Sequence, residues 1–269
     1  MRGISMGQLL FALALLALGC LSLFSGDFAF VWQPVPPDVP GRMVFACLSG
    51  IVLCAGGLGL LIRQTVALAS FVLTLYTLLW LVVLHVPHVI AAPLQEQNWG
   101  GAGEIATLFA ASLLLYAANT APWRRFYIMP LTGANAVRCA RILFAIGVVL
   151  VGLEHLIYSS ATADFVPHWL PYRLGWAYVT GVAHIAAGLA IACSVLPRLA
   201  AVLETWMMGI FTVLVWIPAV MAAPTQRFGW TALLMSTVIT AAAWVVAESY
   251  RRKMALADDA SEVVHTALV

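Results

Sequence analysis

The stretch PHVIAAPLQEQNW (87–99) returns 131 residues later as PAVMAAPTQRFGW (218–230), with both prolines, the Ala-Ala pair, one glutamine and the tryptophan in register. Extended backwards without a gap, residues 50–99 match residues 181–230 at 15 of 50 positions, among them Gly50 with Gly181, Ala55 with Ala186 and Gly57-Leu58 with Gly188-Leu189. Shared apolar composition supplies some identities by chance. It does not supply an ordered Pro, Ala-Ala-Pro, Gln, Trp series, so the chain contains an internal repeat.

The repeat sits in an apolar chain. Hydrophobic residues make up 63% of it, charged residues 9%, and the mean hydropathy is +0.99. A soluble domain carries roughly 25% charge, so this composition belongs to an integral membrane protein. A net charge of +2 with no basic block excludes a nucleic-acid partner. Apolar runs of about 20 residues are needed to cross the bilayer as helix. Eight are present, near 7–24, 43–62, 66–90, 103–120, 139–158, 174–194, 199–222 and 229–249. They show no alternation of period two, which excludes strands. The expected fold is all-α, a polytopic membrane protein whose eight transmembrane helices form two four-helix repeats. Four spans per repeat is an even number, so the repeats insert the same way up, parallel, about a pseudo-two-fold axis along the membrane normal. The expected boundaries are a first unit over 1–120, a linker over 121–138, a second unit over 139–250 and a tail over 251–269. The run after MRGISMGQ is read as a retained first helix.

With the N-terminus cytoplasmic, ten of the thirteen basic residues lie on the cytoplasmic side and only Arg42, Arg173 and Arg227 on the other. This asymmetry places both termini in the cytoplasm. None of the five cysteines forms a C-x-x-C pair, and buried thiols packed among apolar side chains are expected. No c-type haem, bound-flavin or other covalent-cofactor motif is present.

The second repeat carries RILFAIGVVLVGLEHLIY (141–158), VPHWLP (166–171) and YVTGVAHIAAGLAIA (178–192). These residues resemble the DoxX-like family of four-helix membrane proteins over about 135–249; the first repeat does so only through its likeness to the second. That family commonly carries a glutamate where this chain has His184. The resemblance implies a redox-associated membrane protein that interacts with a quinone at the outer face and works with a soluble redox partner protein. It also implies a bacterial plasma (inner) membrane location. Lipids and a second copy of the chain are further expected partners. A non-catalytic scaffold, or a carrier for a small hydrophobic molecule, is the alternative from a different class.

The polar residues of the spans gather toward the outer side. Glu154, His155 and His184 are the candidate reactive groups, with the histidines as donors to the quinone and Glu154 as the proton exchanger. His85, His88, Tyr158, His168 and Trp169 are candidate substrate contacts, Trp169 as a lid. His85 and His88, three apart, have a spacing open to metal or haem, but Pro87 lies between them and no metal site is assigned. For each group a structural role stays open: Glu154 as an anchor paired with Arg173, His184 bonded to a carbonyl or Thr180, Glu204 bonded across helices. Adjacent helical residues point about 100° apart, so Glu154 and His155 cannot both face one partner. Each half supplies polar groups that the other lacks, as a composite site or neutral divergence would produce. The orientation is checked by fusions: a fluorescent protein after residue 269 should mature in the cytoplasm, and alkaline phosphatase after residue 36 should be active. The opposite pattern would reverse the topology.

Overall fold

Residues 4–119 and 132–267 are described by a computed structural model. Among them there are helices and turns and no strand. Eight helices are long and apolar enough to span a bilayer: α1 (Met6–Ser25), α2 (Arg42–Leu61), α3 (Val66–Ala91), α4 (Glu96–Asn119), α5 (Gly133–Ile157), α6 (Arg173–Ala192), α7 (Pro197–Ala222) and α8 (Arg227–Ala267). A short helix, Ser159–Phe165, lies in the loop between α5 and α6. In hydrocarbon the backbone has no water to bond, so each span must satisfy its own N–H and C=O groups, and helices do this. The ends are capped locally. The Ser5 side chain accepts the Gln8 N–H at the start of α1, and Gly26 closes its other end in the left-handed conformation, donating to the Ser22 carbonyl. Two of the starts differ from the hydropathy reading. α4 begins at Glu96 rather than near 103, which puts Glu96 and Glu104 on one helix. α5 begins at Gly133, inside the stretch read as linker, whose residues 121–131 lie outside those described.

The repeat is visible element by element. α2 and α6 start 131 residues apart, as do α3 and α7, and α4 and α8. Both α3 and α7 open into a wide π-helical turn, at Leu81–His85 and Thr212–Trp216, just before Pro87 and Pro218. A proline within a helix lacks the N–H and clashes with the carbonyl four residues back. The wide turn accommodates it. After each proline comes the same corner: Trp99 and Trp230 donate their indole N–H to the carbonyls of Pro93 and Pro224, both at 2.9 Å.

Packing completes the pattern. Each helix touches the next in sequence from α1 to α8, α8 returns to α1, and α4 meets α8 across the middle. The two quartets therefore interlock: α4 packs on α5 of the second half, and α8 on α1 of the first. The central pair is the most enclosed, with 72% of the span residues buried in α4 and in α8, against 33% in α6 and 22% in α7. Glycines set the closest crossings. A Cβ on Gly19 would stand 2.6 Å from the Gly50 carbonyl oxygen, and one on Gly152 would stand 2.7 Å from that of Gly181. Small residues allow such approach, and in lipid this close packing is a main source of helix association. These crossings also set the register of the first helices, α5 matching α1 at an offset of 133.

The face bearing the loops 26–41 and 158–172 is called here the loop face, and the other the terminal face. On the loop face Asp27 joins the halves. Its carboxylate pairs with Arg42 of α2 and, at 3.2 Å, with Arg227 of α8, and it accepts the Phe28 N–H at 2.7 Å. The Arg227 guanidinium also lies 4.0 Å from the centre of the Phe30 ring. Burial alone would raise the Asp27 pKa. The Phe28 N–H, Arg42 and Arg227 outweigh it and hold the carboxyl below its ordinary value of 3.8. A lowered folded-state pKa means stabilisation that is present above the unfolded value and lost as pH falls through the folded one. Asp27→Asn should therefore lower Tm at pH 7 and speed proteolysis of the loop 26–41. The difference from wild type should shrink below about pH 4; a pH-independent difference would contradict the ionic clamp.

Candidate functional site

The Gly152–Gly181 crossing brings α5 against α6, and a Cβ on Gly152 would also stand 2.9 Å from His184 Cβ. The close approach seats two imidazoles side by side. His155, at the end of α5, has Nδ1 3.2 Å from the Thr180 hydroxyl, and its ring centre is 5.0 Å from that of His184, edge to face. Phe211 of α7 lies 6.1 Å from each ring. His184 Nδ1 is 2.8 Å from Glu204 Oε1 of α7, and the two side chains are 1% and 2% exposed. The pair shares one hydrogen bond whether its charges are separated or neutralised. In either state His184 Nε2 and Glu204 Oε2 are enclosed and without a partner. Each such group costs about 1–3 kcal/mol, and an ion pair buried this deeply must also overcome the desolvation of both charges.

The repeat supplies an internal comparison. Under the offsets of 133 for α1 and 131 beyond it, His184 and Glu204 correspond to Leu53 and Leu73, both fully buried. His155 and Thr180 correspond to Ser22 and Ser49. In the first half Ser49 is satisfied by the Tyr76 hydroxyl at 2.5 Å and by the Gln33 side-chain N–H at 3.0 Å, and Gln33 also reaches Tyr76 at 2.9 Å. The same architecture is thus built with two leucines in one half and a histidine–glutamate pair in the other.

A second polar group sits on the loop face, on the side of α5 that meets α4. Gly100 of α4 makes room for Glu154: a Cβ there would be 2.5 Å from its carboxylate oxygen. Glu104 of α4 accepts the Trp32 indole N–H at 2.7 Å. The Trp32 carbonyl accepts from the Trp80 indole and, at 3.0 Å, from His85 Nε2, which therefore carries the proton. Both carboxylate oxygens of Glu96 are enclosed without a partner. The loop 26–41, α3, α4 and α5 thus converge on Trp32, His85, Glu96, Glu104 and Glu154, with groups from both halves. In the second half His85 and Glu104 correspond to Trp216 and Met235. The rings of Phe165 and Trp216 pack 5.3 Å apart there, and Met235 is fully buried.

The expected residues are therefore divided. His155 and His184 meet, while Glu154 is turned away from them toward α4. Arg173, the expected partner of Glu154, instead donates to the Val166 carbonyl at 2.9 Å and lies 3.7 Å from Asp164. His85 and His88 do not share a face, because the wide turn and Pro87 separate them. His85 is buried and His88 is exposed, donating Nδ1–H to the Leu84 carbonyl at 2.7 Å. Tyr158 and His168 are exposed, and Trp169 is 71% exposed. Among the described residues no group of three or more His, Cys, Asp or Glu side chains is placed to hold a metal ion. A cavity of about 990 Å³ opens at the terminal face among Arg138, Arg141, Pro197 and Glu248, and none of the expected residues lines it.

Glu204 is the partner that the sequence reading left unpaired with His184. A signal existed: α6 and α7 form a hairpin with a four-residue turn, 193–196. His184 stands eight residues before the end of α6 and Glu204 seven after α7 begins, about 12 and 10 Å deep. No family model, curated protein or solved structure matches this chain. The resemblance to DoxX-like proteins therefore rests on the residues quoted above.

The geometry sets a double-mutant test. Glu204→Leu or His184→Leu alone strands the other group and should cost about 3–5 kcal/mol. The double change to leucine reproduces the packing of the first half and should recover most of that loss. Equal losses in the double and single variants, read by thermal unfolding in detergent, would show that the pair is not an autonomous polar insertion.

Proposed function

We propose that the protein is a membrane redox component that binds a quinone beside His184 and exchanges protons with it through the His184–Glu204 pair. The carrying observation is the contrast between the halves. Leu53 and Leu73 satisfy the fold at the same positions, so the fold itself does not require a buried histidine and carboxylate. Ionisable groups within spans that serve no packing need are by default functional.

The class of ligand follows from the groups left open. His184 Nε2 and Glu204 Oε2 need a partner able to donate and accept hydrogen bonds. α6 and α7 are the least enclosed helices of the bundle, so a ligand reaching them from the side must partition into lipid. A quinone meets both requirements across its redox states, the quinol hydroxyls donating to His184 Nε2 or Glu204 Oε2 and the quinone carbonyl accepting once His184 is protonated, and when bound it supplies two-electron, two-proton redox chemistry. Within the chain, His184 holds a ring nitrogen toward the ligand, Glu204 orients that imidazole and sets its tautomer through Nδ1, and Phe211 closes the apolar wall. His155, held by Thr180, is the next proton acceptor outward. Electrons come from a partner protein, and the topology that leaves both termini cytoplasmic puts Glu154 and the loop carboxylates on the outer side where such a partner would dock. The DoxX-like resemblance points to the same chemistry.

The reading is tested by equilibrium binding of a labelled short-tail benzoquinone to purified protein in nanodiscs. Saturable binding to wild type is expected, weakened about tenfold or more by His184→Gln and by Glu204→Gln, the loss of one hydrogen bond to a buried polar partner. Glu154→Gln should bind as wild type. Absence of saturable binding, or binding indifferent to both His184 and Glu204, would overturn it; uptake of neutral lipids by proteoliposomes in that case would support a carrier.

A further inference from the structure

Cys20 of α1 and Cys54 of α2 bring their sulfurs to 3.8 Å, within the span and outside the site described above. The contact is held in place by the backbone. Gly19 and Gly50 cross so closely that a Cβ on Gly19 would be 2.6 Å from the Gly50 carbonyl oxygen and 2.7 Å from Cys54 Sγ. The helices cannot slide apart there without losing that crossing. Cys54 Sγ also lies 3.6 Å from the Leu16 carbonyl oxygen, which takes its S–H and leaves the sulfur lone pairs toward Cys20. A disulfide bond is about 2.05 Å long, so closure needs the sulfurs to approach by roughly 1.8 Å, within the reach of side-chain rotation. Both thiols are only partly buried, at the lipid-facing seam of the two helices.

Packing does not account for the pair. The same positions in the second half, under the repeat offsets, are Leu153 and Ile185. The α5–α6 crossing is equally close with two aliphatic side chains.

We infer that Cys20 and Cys54 form a dithiol that is oxidised from the lipid phase, by a lipid-soluble hydroperoxide, to a disulfide joining α1 and α2. One sulfur attacks the peroxide; the O–O bond breaks, the released alkoxide takes the thiol proton and leaves as an alcohol, and the sulfur becomes a sulfenic acid. The second sulfur displaces the hydroxyl, which leaves as water with the second thiol proton, and the S–S bond forms. The two sulfurs give up two electrons and the peroxide takes them. This inference is independent of quinone binding at His184.

The test uses the whole protein in liposomes treated with cumene hydroperoxide, alkylated with N-ethylmaleimide and mapped as non-reduced peptides. Conversion of Met43, which is 67% exposed, to its sulfoxide marks an effective dose. The expected result is a Cys20–Cys54 cross-linked peptide with Cys47 still alkylated, lost in Cys20→Ser and in Cys54→Ser. Two alkylated thiols at that dose, or oxidation of either to sulfinic acid without a bridge, would overturn it. Mapping of the wild type alone decides between these results if either variant fails to accumulate.

Discussion

Inside a bilayer every polar group has to find its partner within the protein, and the rest of the structure depends on that constraint. It turns the backbone into eight helices, each closing its own hydrogen bonds. It forces the wide turns before Pro87 and Pro218, where a missing N–H would otherwise strand a carbonyl. Serines and threonines within the spans bond back to carbonyls on their own helix, as Ser70 does to Val66 at 2.7 Å and Thr74 to Ser70 at 2.7 Å. Against this background the places where satisfaction fails are informative. His184 Nε2, Glu204 Oε2 and the Glu96 carboxylate are among the few side-chain groups left enclosed and unpaired.

Duplication gives the molecule its own control. Two copies of one packing scheme share the turns, the proline corners and the glycine crossings, and they differ in the residues set into them. Leu53 and Leu73 against His184 and Glu204, or Trp216 against His85, separate what the scaffold requires from what has been added to it. The additions form two groups on different faces of α5. His155 looks toward α6 and α7, and Glu154 toward α4. One group lies within the second half and the other between the halves, so neither is a simple copy of the other.

Much of this was legible in residues alone. Hydropathy located eight spans, because crossing the hydrocarbon demands length and apolarity in one continuous stretch. The 131-residue offset announced the repeat, because Pro87, Pro218, Trp99 and Trp230 make the same local corner. The 100° step between neighbours on a helix separated Glu154 from His155. The starts of α4 and α5 were less legible. Glu96, Gln97 and Asn98 depress the hydropathy of a helix that nevertheless begins there, since its first turn lies at the bundle's edge. Glu204 was seen as a charge within a span, and its pairing with His184 follows from the short turn 193–196, which brings α6 and α7 to matching depth.

What the sequence by itself determined is the number of spans, their order and the fact of duplication, since each depends on local chemistry or on repetition along the chain. Only the tertiary structure decided that the quartets interlock through α4 and α8, that Glu154 turns to Gly100 rather than to His184, and that Cys20 meets Cys54. Those outcomes depend on which small residues let two backbones approach within van der Waals distance. Gly19 finds Gly50 and Gly152 finds Gly181 across separations that no pattern along a single helix encodes.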